Sequence, residues 1–222
     1  MALHLECVPE PAHKLAAKLF PTISSLGFVL AGGTGLALQL GHRVSVDFDL
    51  FTSPEKYPTH LLDRIRGMAS MPQVIQDKQD TLDVLLDGVK CSFFSYPYPF
   101  SDTVESYFGV ALADTLDIAA MKLIAIAQRG AKKDFVDLYV CLRHYTFEAV
   151  FSNARRRFGG DSMNPVSIGK ALVYFADARK DPGPLPADGP MPDSESARWE
   201  LIEAFFREHV QDFVAQMIAP GR

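Results

Sequence analysis

FVLAGGTGLALQLGHRVSVDFDLFT, residues 28 to 52, is the stretch whose reading decides the fold. Phe28 to Ala31 is a compact apolar run ended by the breaker pair Gly32-Gly33, which reads as a buried strand and a turn. Leu36 to Leu40 then reads as a short helix. From Val44 to Phe51 the chain alternates with a period of two, Val44, Val46, Phe48 and Leu50 against Ser45, Asp47 and Asp49. That period predicts a second strand with Ser45, Asp47 and Asp49 on one face and the apolar set on the core. Residues 19 to 41 carry no charge, and a membrane span needs about 20 mostly apolar residues. Pro21, the four glycines from Gly27 to Gly35, Ser24, Ser25 and Gln39 break this run, so no membrane segment is expected.

Working outward, a helix is expected from Pro11 to about Leu19, and another capped by Thr59 and reaching Ala69. Val74 to Asp77 and Thr81 to Leu86 are strand-like, and Asp87-Gly88 is a hairpin signal leading into Val89 to Tyr96. Asp114 or Thr115 caps a strong helix to Gln128, with Leu116, Ala119, Ala120, Leu123 and Ala127 on one stripe and Gly130 as its stop. Helical patterns follow at about 133 to 144, 147 to 157, 165 to 179 and 195 to 218. Between the last two lies a loop, Asp181 to Ser194, with five prolines. Strands in the first half and helices in the second predict α+β rather than a doubly wound parallel sheet. The expected architecture is a small mixed or antiparallel sheet with flanking helices over residues 1–112, followed by a helical region over 113–222.

With 222 residues, 48% apolar and 22% charged, the chain has the composition of a globular protein. Cys7, Cys91 and Cys141 are an odd, widely spaced set without a CxxC pair, which argues against a disulfide scaffold and a zinc site. The opening MALHLECVPEP has neither a basic nor an apolar signal region, so a cytoplasmic protein is expected. The net charge of −5 conceals an asymmetry. Residues 121 to 160 hold eight Lys or Arg against three Asp or Glu, or +5, which leaves −10 for the rest. A basic middle of this kind suits a polyanion such as nucleotide or RNA, although charge runs also form solvated faces.

Two carboxylates at i and i+2 of one strand are held about 7 Å apart on a common face. Like charges so fixed favour a cation between them, and Mg²⁺ or Mn²⁺ accepts such oxygen ligands while keeping positions open for substrate phosphates. Upstream, Gly32-Gly33 at a strand-to-helix turn lets backbone N–H groups approach a phosphate, and Thr34 adds a hydroxyl. Thirteen residues separate Gly33 from Asp47.

The glycine pair followed by Asp47-Phe48-Asp49 is similar to the signature of the polymerase-beta-like nucleotidyltransferase superfamily. The closer resemblance is to its AbiEii/AbiGii toxin branch, carried by residues 28 to 52 and by LDIAAMKLIAIAQRGAKKDFVDLY, residues 116 to 139. The resemblance implies an enzyme moving a nucleoside monophosphate from an NTP to an acceptor hydroxyl on RNA, tRNA in particular, as the toxin of a type IV toxin–antitoxin or abortive-infection system. A cognate antitoxin acting as a transcriptional repressor is then the expected protein partner. By the same resemblance Gly32, Gly33, Thr34 and Ser45 line the triphosphate, Asp47 and Asp49 hold Mg²⁺, Lys122 contacts phosphate, and Lys133, Asp134 and Asp137 complete the nucleotide site. Arg43 either holds a phosphate or pairs with Asp47.

Each assignment has a structural alternative. Lys122 could be a surface lysine with a buried stem. Asp134 could serve the helix dipole, Lys133 and Asp137 could form an i, i+4 pair, and Ser45 could be a hydrogen-bond partner of its neighbours. The sequence also departs from the superfamily pattern: where a third carboxylate is usual, VKCSFFSY offers Cys91 or Ser92, with Asp83 on the paired strand as the available substitute. That departure keeps open a non-catalytic nucleotide-binding module and a small-molecule nucleotidyltransferase.

Overall fold

The structure is a computed structural model of the chain and describes residues 2–70, 72–159, 163–183 and 199–218. It divides into two compact units, one before and one after the Asp114–Thr115 junction.

The first unit is built on a seven-stranded mixed sheet in the order β3-β4-β5-β2-β1-β7-β6. The strands are β1 (Val29–Ala31), β2 (Phe48–Thr52), β3 (Gln73–Lys78), β4 (Thr81–Leu86), β5 (Val89–Ser95), β6 (Thr103–Tyr107) and β7 (Val110–Ala113). The short β1 runs antiparallel to β2 and parallel to β7, while β2 runs parallel to β5. One face of the sheet carries Leu30, Phe48, Leu50, Val84, Phe93 and Leu112, all without solvent exposure, and Leu15, Leu19, Phe20 and Ile23 of α1 (Glu10–Ser24) join the same core. The Phe20 and Phe48 rings meet edge to face at 4.9 Å. Burying each such side chain contributes roughly 1.5–3 kcal/mol, which fixes the register of β2 and hence the direction of its other face.

Several sequence expectations are corrected here. The first helix does not stop at Leu19 but continues through Pro21 to Ser24. Pro21 and Ala17, the residue whose carbonyl the proline leaves without a helical donor, are both exposed, and Phe20 and Ile23 are buried beside them. Gly32-Gly33 is not a turn ahead of a helix but the first residues of α2 (Gly32–Leu40). The alternation over 44–51 overstates the strand, since β2 begins at Phe48 and Val46 is 50% exposed instead of facing the core. The Ser45 N–H is taken by the Cys7 carbonyl instead of a strand partner, so the segment before Phe48 is held by a loop contact. Thr59 caps nothing: α3 is only Leu61–Ile65, entered through His60 at φ +57° and followed by a single 3₁₀ turn at Arg66–Met68. The hairpin through Asp87-Gly88 is as expected, with both turn residues at positive φ. A second hairpin, β6 and β7 through Phe108-Gly109, carries no standard turn dipeptide and has no counterpart among the sequence expectations.

The second unit is helical: α4 (Thr115–Gln128), α5 (Lys132–Cys141), α6 (Phe147–Phe158), α7 (Pro165–Leu172) and α8 (Trp199–Ile218). Thr146 and Asn164 cap α6 and α7 by accepting the N–H groups of Ala149 and Ser167. The helix expected over 165–179 ends at Leu172, with only a 3₁₀ turn at Ala178–Lys180 beyond it. An aromatic core of Phe135, Phe175, Trp199 and Phe206 has ring centroids 5.2–5.8 Å apart, and Phe147 stacks on Phe213 at 4.2 Å. Most of the proline-rich segment, 184 onward, lies outside the described residues. No described helix is long and apolar enough to cross a membrane.

Candidate active site

In the first unit the carboxylates stand where β2 leaves its loop. Ala31 pairs with Asp49 across β1 and β2, so Gly32, one residue on, lies directly against the Asp49 side chain. Gly32 has φ +62°, and a Cβ built on it would run into Asp49 Oδ2 and lie 3.0 Å from Asp49 Cβ and Cγ. Only glycine satisfies both the backbone and the space at this position. Gly33 is bare for a different reason, since a Cβ there would meet the Arg43 guanidinium and lie 3.3 Å from Ser45 Oγ.

Thr34, Arg43 and Ser45 are all buried. Thr34 Oγ1 lies 2.8 Å from Ser45 Oγ and donates to the Asp47 carbonyl. Arg43 Nη1 donates to the Val44 carbonyl at 3.1 Å. The two hydroxyls therefore tie the start of α2 to the backbone of Asp47, and in this structure they act as positioning groups for the acidic segment. Asp47 and Asp49 themselves are half-buried.

The position of the third acid resolves into a row. Asp49 pairs with Ser92 and Ser92 with Asp83, so these three side chains occupy one line across β2, β5 and β4 on the face away from the core. Of the two candidates in VKCSFFSY it is Ser92 that shares this face, because Cys91 belongs to the hydrophobic core. Burial, reinforced by the charges of Asp47 and Asp49, pushes the Cys91 thiol well above its ordinary range. Asp83 stands two strands from Asp49, about 10 Å by the usual inter-strand spacing. Its Oδ1 is buried without a hydrogen-bond partner.

Among the described residues no group of three or more His, Cys, Asp or Glu side chains is assembled to hold a metal. A two-carboxylate set is nevertheless what Mg²⁺ commonly takes from protein, the remaining positions going to water and substrate phosphate. The bare Gly32 is consistent with such a site, because the Asp49 carboxylate takes the space that a side chain there would fill and is seated against the start of α2.

In the second unit Lys122, expected to carry its charge at the surface or to a phosphate, is 5% exposed. Its ammonium lies 3.1 Å from Asp134 Oδ1 and 2.7 Å from Asp137 Oδ2, and both aspartates are fully buried. Arg129 completes the cluster, with Nε 2.8 Å from Asp134 Oδ2 and Nη2 3.0 Å from Oδ1. Burial by itself would raise the Asp134 carboxyl, but hydrogen bonds from Arg129 and the Lys122 and Arg129 charges hold it below the usual carboxylate range. Asp137 thus pairs with Lys122 on α4, whereas the sequence spacing offers Lys133, which is half-buried. Sequence reasoning misses Arg129, although this residue lies within the second motif and precedes Asp134 by five residues across the Gly130 break.

A further cluster has no sequence signal at all. Asn153 donates to Asp117 Oδ1 at 2.7 Å, Arg157 Nη1 donates to the Asp117 carbonyl at 2.9 Å, and Arg156 Nη2 donates to Asn153 Oδ1 at 2.6 Å. The triple arginine at 155–157 is therefore not one cationic patch, because Arg157 is buried and Arg156 is drawn to Asn153. Arg155 lies over the Phe151 ring.

Comparison with known proteins bears on both halves of the chain. An uncharacterized protein of Aquifex aeolicus (strain VF5) is 37% identical over 190 residues, covering 84% of this chain and 88% of its own. Among solved structures, a candidate nucleotidyltransferase from H. pylori matches with a TM-score of 0.53 at 17% identity, over 96% of this chain and all of its own. MenT4, a nucleotidyltransferase toxin of Mycobacterium tuberculosis H37Rv, matches with a TM-score of 0.50 at 15% identity, over 95% and 96% of the two chains. At such identities these two establish a shared fold. The family model described as "Nucleotidyl transferase AbiEii toxin, Type IV TA system" matches residues 15–85 and 81–219, and the chain belongs to that family.

Proposed function

We propose that this protein is a Mg²⁺-dependent toxin that transfers a nucleoside monophosphate from an NTP to a hydroxyl of RNA, with tRNA as the acceptor, in the cytoplasm, under a cognate antitoxin that is also a repressor. The observation carrying the proposal is the Asp47/Asp49 pair set against the side-chain-free Gly32 at the start of α2.

Asp47 and Asp49 would hold Mg²⁺, which supplies charge neutralisation for the phosphates. The backbone of Gly32 and Gly33 offers N–H groups to the triphosphate, with Arg43 behind Gly33 as the adjacent cation. The acceptor oxygen attacks the α-phosphorus, a new O–P bond forms, the bond to the β-phosphate bridging oxygen breaks, and pyrophosphate leaves. Asp49 takes the hydroxyl proton. Asp134 is less suited to that step, because Lys122 and Arg129 already cover both of its oxygens and favour its ionised form. The assignment of Lys122 to phosphate, and of Lys133, Asp134 and Asp137 to the same reaction, rests on the family motif in which they lie. Catalysis of this kind is positioning and electrostatics.

The test is label transfer from each α-³²P NTP with Mg²⁺ and total RNA, comparing wild type with Asp47→Ala. Label in a tRNA-sized band, lost in the variant while its melting curve stays near wild type, supports the proposal. Full activity in Asp47→Ala refutes the metal-site assignment. Binding of Mg·NTP with no transfer from any NTP to RNA would favour the second reading, a nucleotide-binding module, for which the serine at position 92 is the specific observation.

A further inference from the structure

The row of β2 next to the carboxylates is aromatic. Phe51 follows Asp49 by two residues and so shares its face, about 7 Å along the strand. Its cross-strand partner is Phe94, as Ser92 is that of Asp49, and the two rings stack with centroids 4.9 Å apart and planes at 21°. The rings continue past the end of β5. Tyr96 meets Phe51 at 4.9 Å, and Phe100 stacks on Tyr96 at 5.7 Å and 27°. Phe51, Tyr96 and Phe100 line a cleft of about 380 Å³, within the usual range for small-ligand sites. Val29, the β1 partner of Phe51, forms part of its floor, which places the cleft on the carboxylate face of the sheet. Lys56 stands at its wall with its stem over Gly27: a Cβ on Gly27 would come within 3.2 Å of Lys56 Cδ. Gly27 has φ +74°, so a bare residue both permits the backbone and admits the lysine.

Stacked aromatic faces beside a lysine are the combination by which proteins hold unpaired nucleobases, the ring taking the base and the cation the backbone phosphate. The order along the strands says which base. The glycine start of α2 lies to one side of the Ala31–Asp49 pair and the aromatic cleft, at Val29–Phe51, to the other. An in-line displacement puts the attacking and leaving oxygens on opposite sides of the phosphorus. With the triphosphate at the glycine end, the attacking hydroxyl approaches from the aromatic end. We infer that Tyr96 and Phe100, backed by the buried Phe51, form a stacking platform for the unpaired 3′-terminal base of the acceptor RNA, with Lys56 on its phosphate. The inference rests on the nucleotidyltransferase reading for the placement of the triphosphate, and it specifies the acceptor as single-stranded at its reactive end.

The experiment uses the full chain and a short single-stranded RNA carrying 2-aminopurine as its 3′-terminal base, without NTP, so that stacking is read as fluorescence quenching. Quenching by wild type is expected, together with binding about tenfold weaker in Tyr96→Leu, recovery in Tyr96→Phe, and unchanged Mg·ATP affinity in all three. One base stacked on an aromatic side chain corresponds to roughly a 5- to 150-fold effect. Tyr98→Ala, at a wall residue that is 38% exposed, supplies a second variant should Tyr96→Leu melt early, and weaker quenching is expected there too. Absence of quenching by wild type overturns the platform. So does a loss of Mg·ATP affinity in Tyr96→Leu with RNA binding intact, which would assign the cleft to the donor base. Quenching without label transfer would leave the platform standing and defeat the enzymatic reading; transfer to RNA without quenching would do the reverse.

Discussion

Substituting Gly32 by alanine separates two effects that the structure superimposes at one residue. The first is conformational: at φ +62° an L-residue costs roughly 1–2 kcal/mol relative to glycine. The second is steric and falls on Asp49 alone, since the new methyl would stand 3.0 Å from Asp49 Cβ and Cγ and nearer still to Oδ2. Carbon atoms prefer about 3.5–4.0 Å, so the carboxylate must move by the order of an ångström. In the role proposed for Asp49, a displacement of that size is expected to cost on the order of 100-fold in rate. Gly88→Ala is the matched control, because Gly88 has φ +85° and a methyl there would meet nothing within 4 Å. Both variants are expected to lose a few degrees in Tm, at about 2–4 °C per kcal/mol for a chain of this size. Only Gly32→Ala should lose nucleotidyl transfer, measured with α-³²P NTP at saturating protein. Transfer by Gly32→Ala at the rate of Gly88→Ala would refute the claim that Gly32 exists to make room for Asp49.

Three other outcomes follow from the buried charges. Lys122→Met leaves two buried aspartates short of a cation and should destabilise the chain by about 3–5 kcal/mol in urea denaturation, and adding Asp137→Leu should recover part of the loss; a single variant as stable as wild type contradicts the ion-pair geometry. Because Asp134 is held below the ordinary aspartate value of about 3.9, it stabilises the fold above that pH and loses the contribution as pH falls through its depressed value. Arg129→Met removes the hydrogen bonds that lower it, so the acid-side fall in Tm should begin at higher pH than in wild type, and superimposable acid limbs would rule this out. Arg157→Met should cost roughly 3 kcal/mol by leaving Asp117 buried without its guanidinium, and a change under about 0.5 kcal/mol would show that Asn153 alone suffices.

What is legible in the sequence is local. The breaker pair Gly32-Gly33, the alternation through Phe48 and Leu50, and the Asp87-Gly88 turn each act over a few residues, and each leads to an element that is present. The alternation misleads over Val44 to Asp47, where the pattern continues but the Ser45 N–H has a loop partner and no neighbouring strand is there to extend β2. The second hairpin is not readable because Phe108 adopts φ +47° without being a residue type that signals it. In the candidate site, spacing brings Asp47 and Asp49 forward, yet it cannot choose between Cys91 and Ser92, since that depends on which face β5 turns to the core. Asp117 lies 36 positions from Asn153 and 40 from Arg157, too far for any spacing rule, and only the packing of α4 against α6 joins them.

The three-residue strand β1 lies between β2 and β7, and Val29 pairs with Ala111, 82 positions later. During synthesis β1 and β2 therefore emerge with one flank of the sheet bare, and the long loop must close before that flank is covered. The ribosome thus delivers a chain whose acidic strand is complete well before the sheet supporting it is. The first half alone is therefore an open-edged intermediate, and the flank of β1 stays uncovered until Val110–Ala113 has been made.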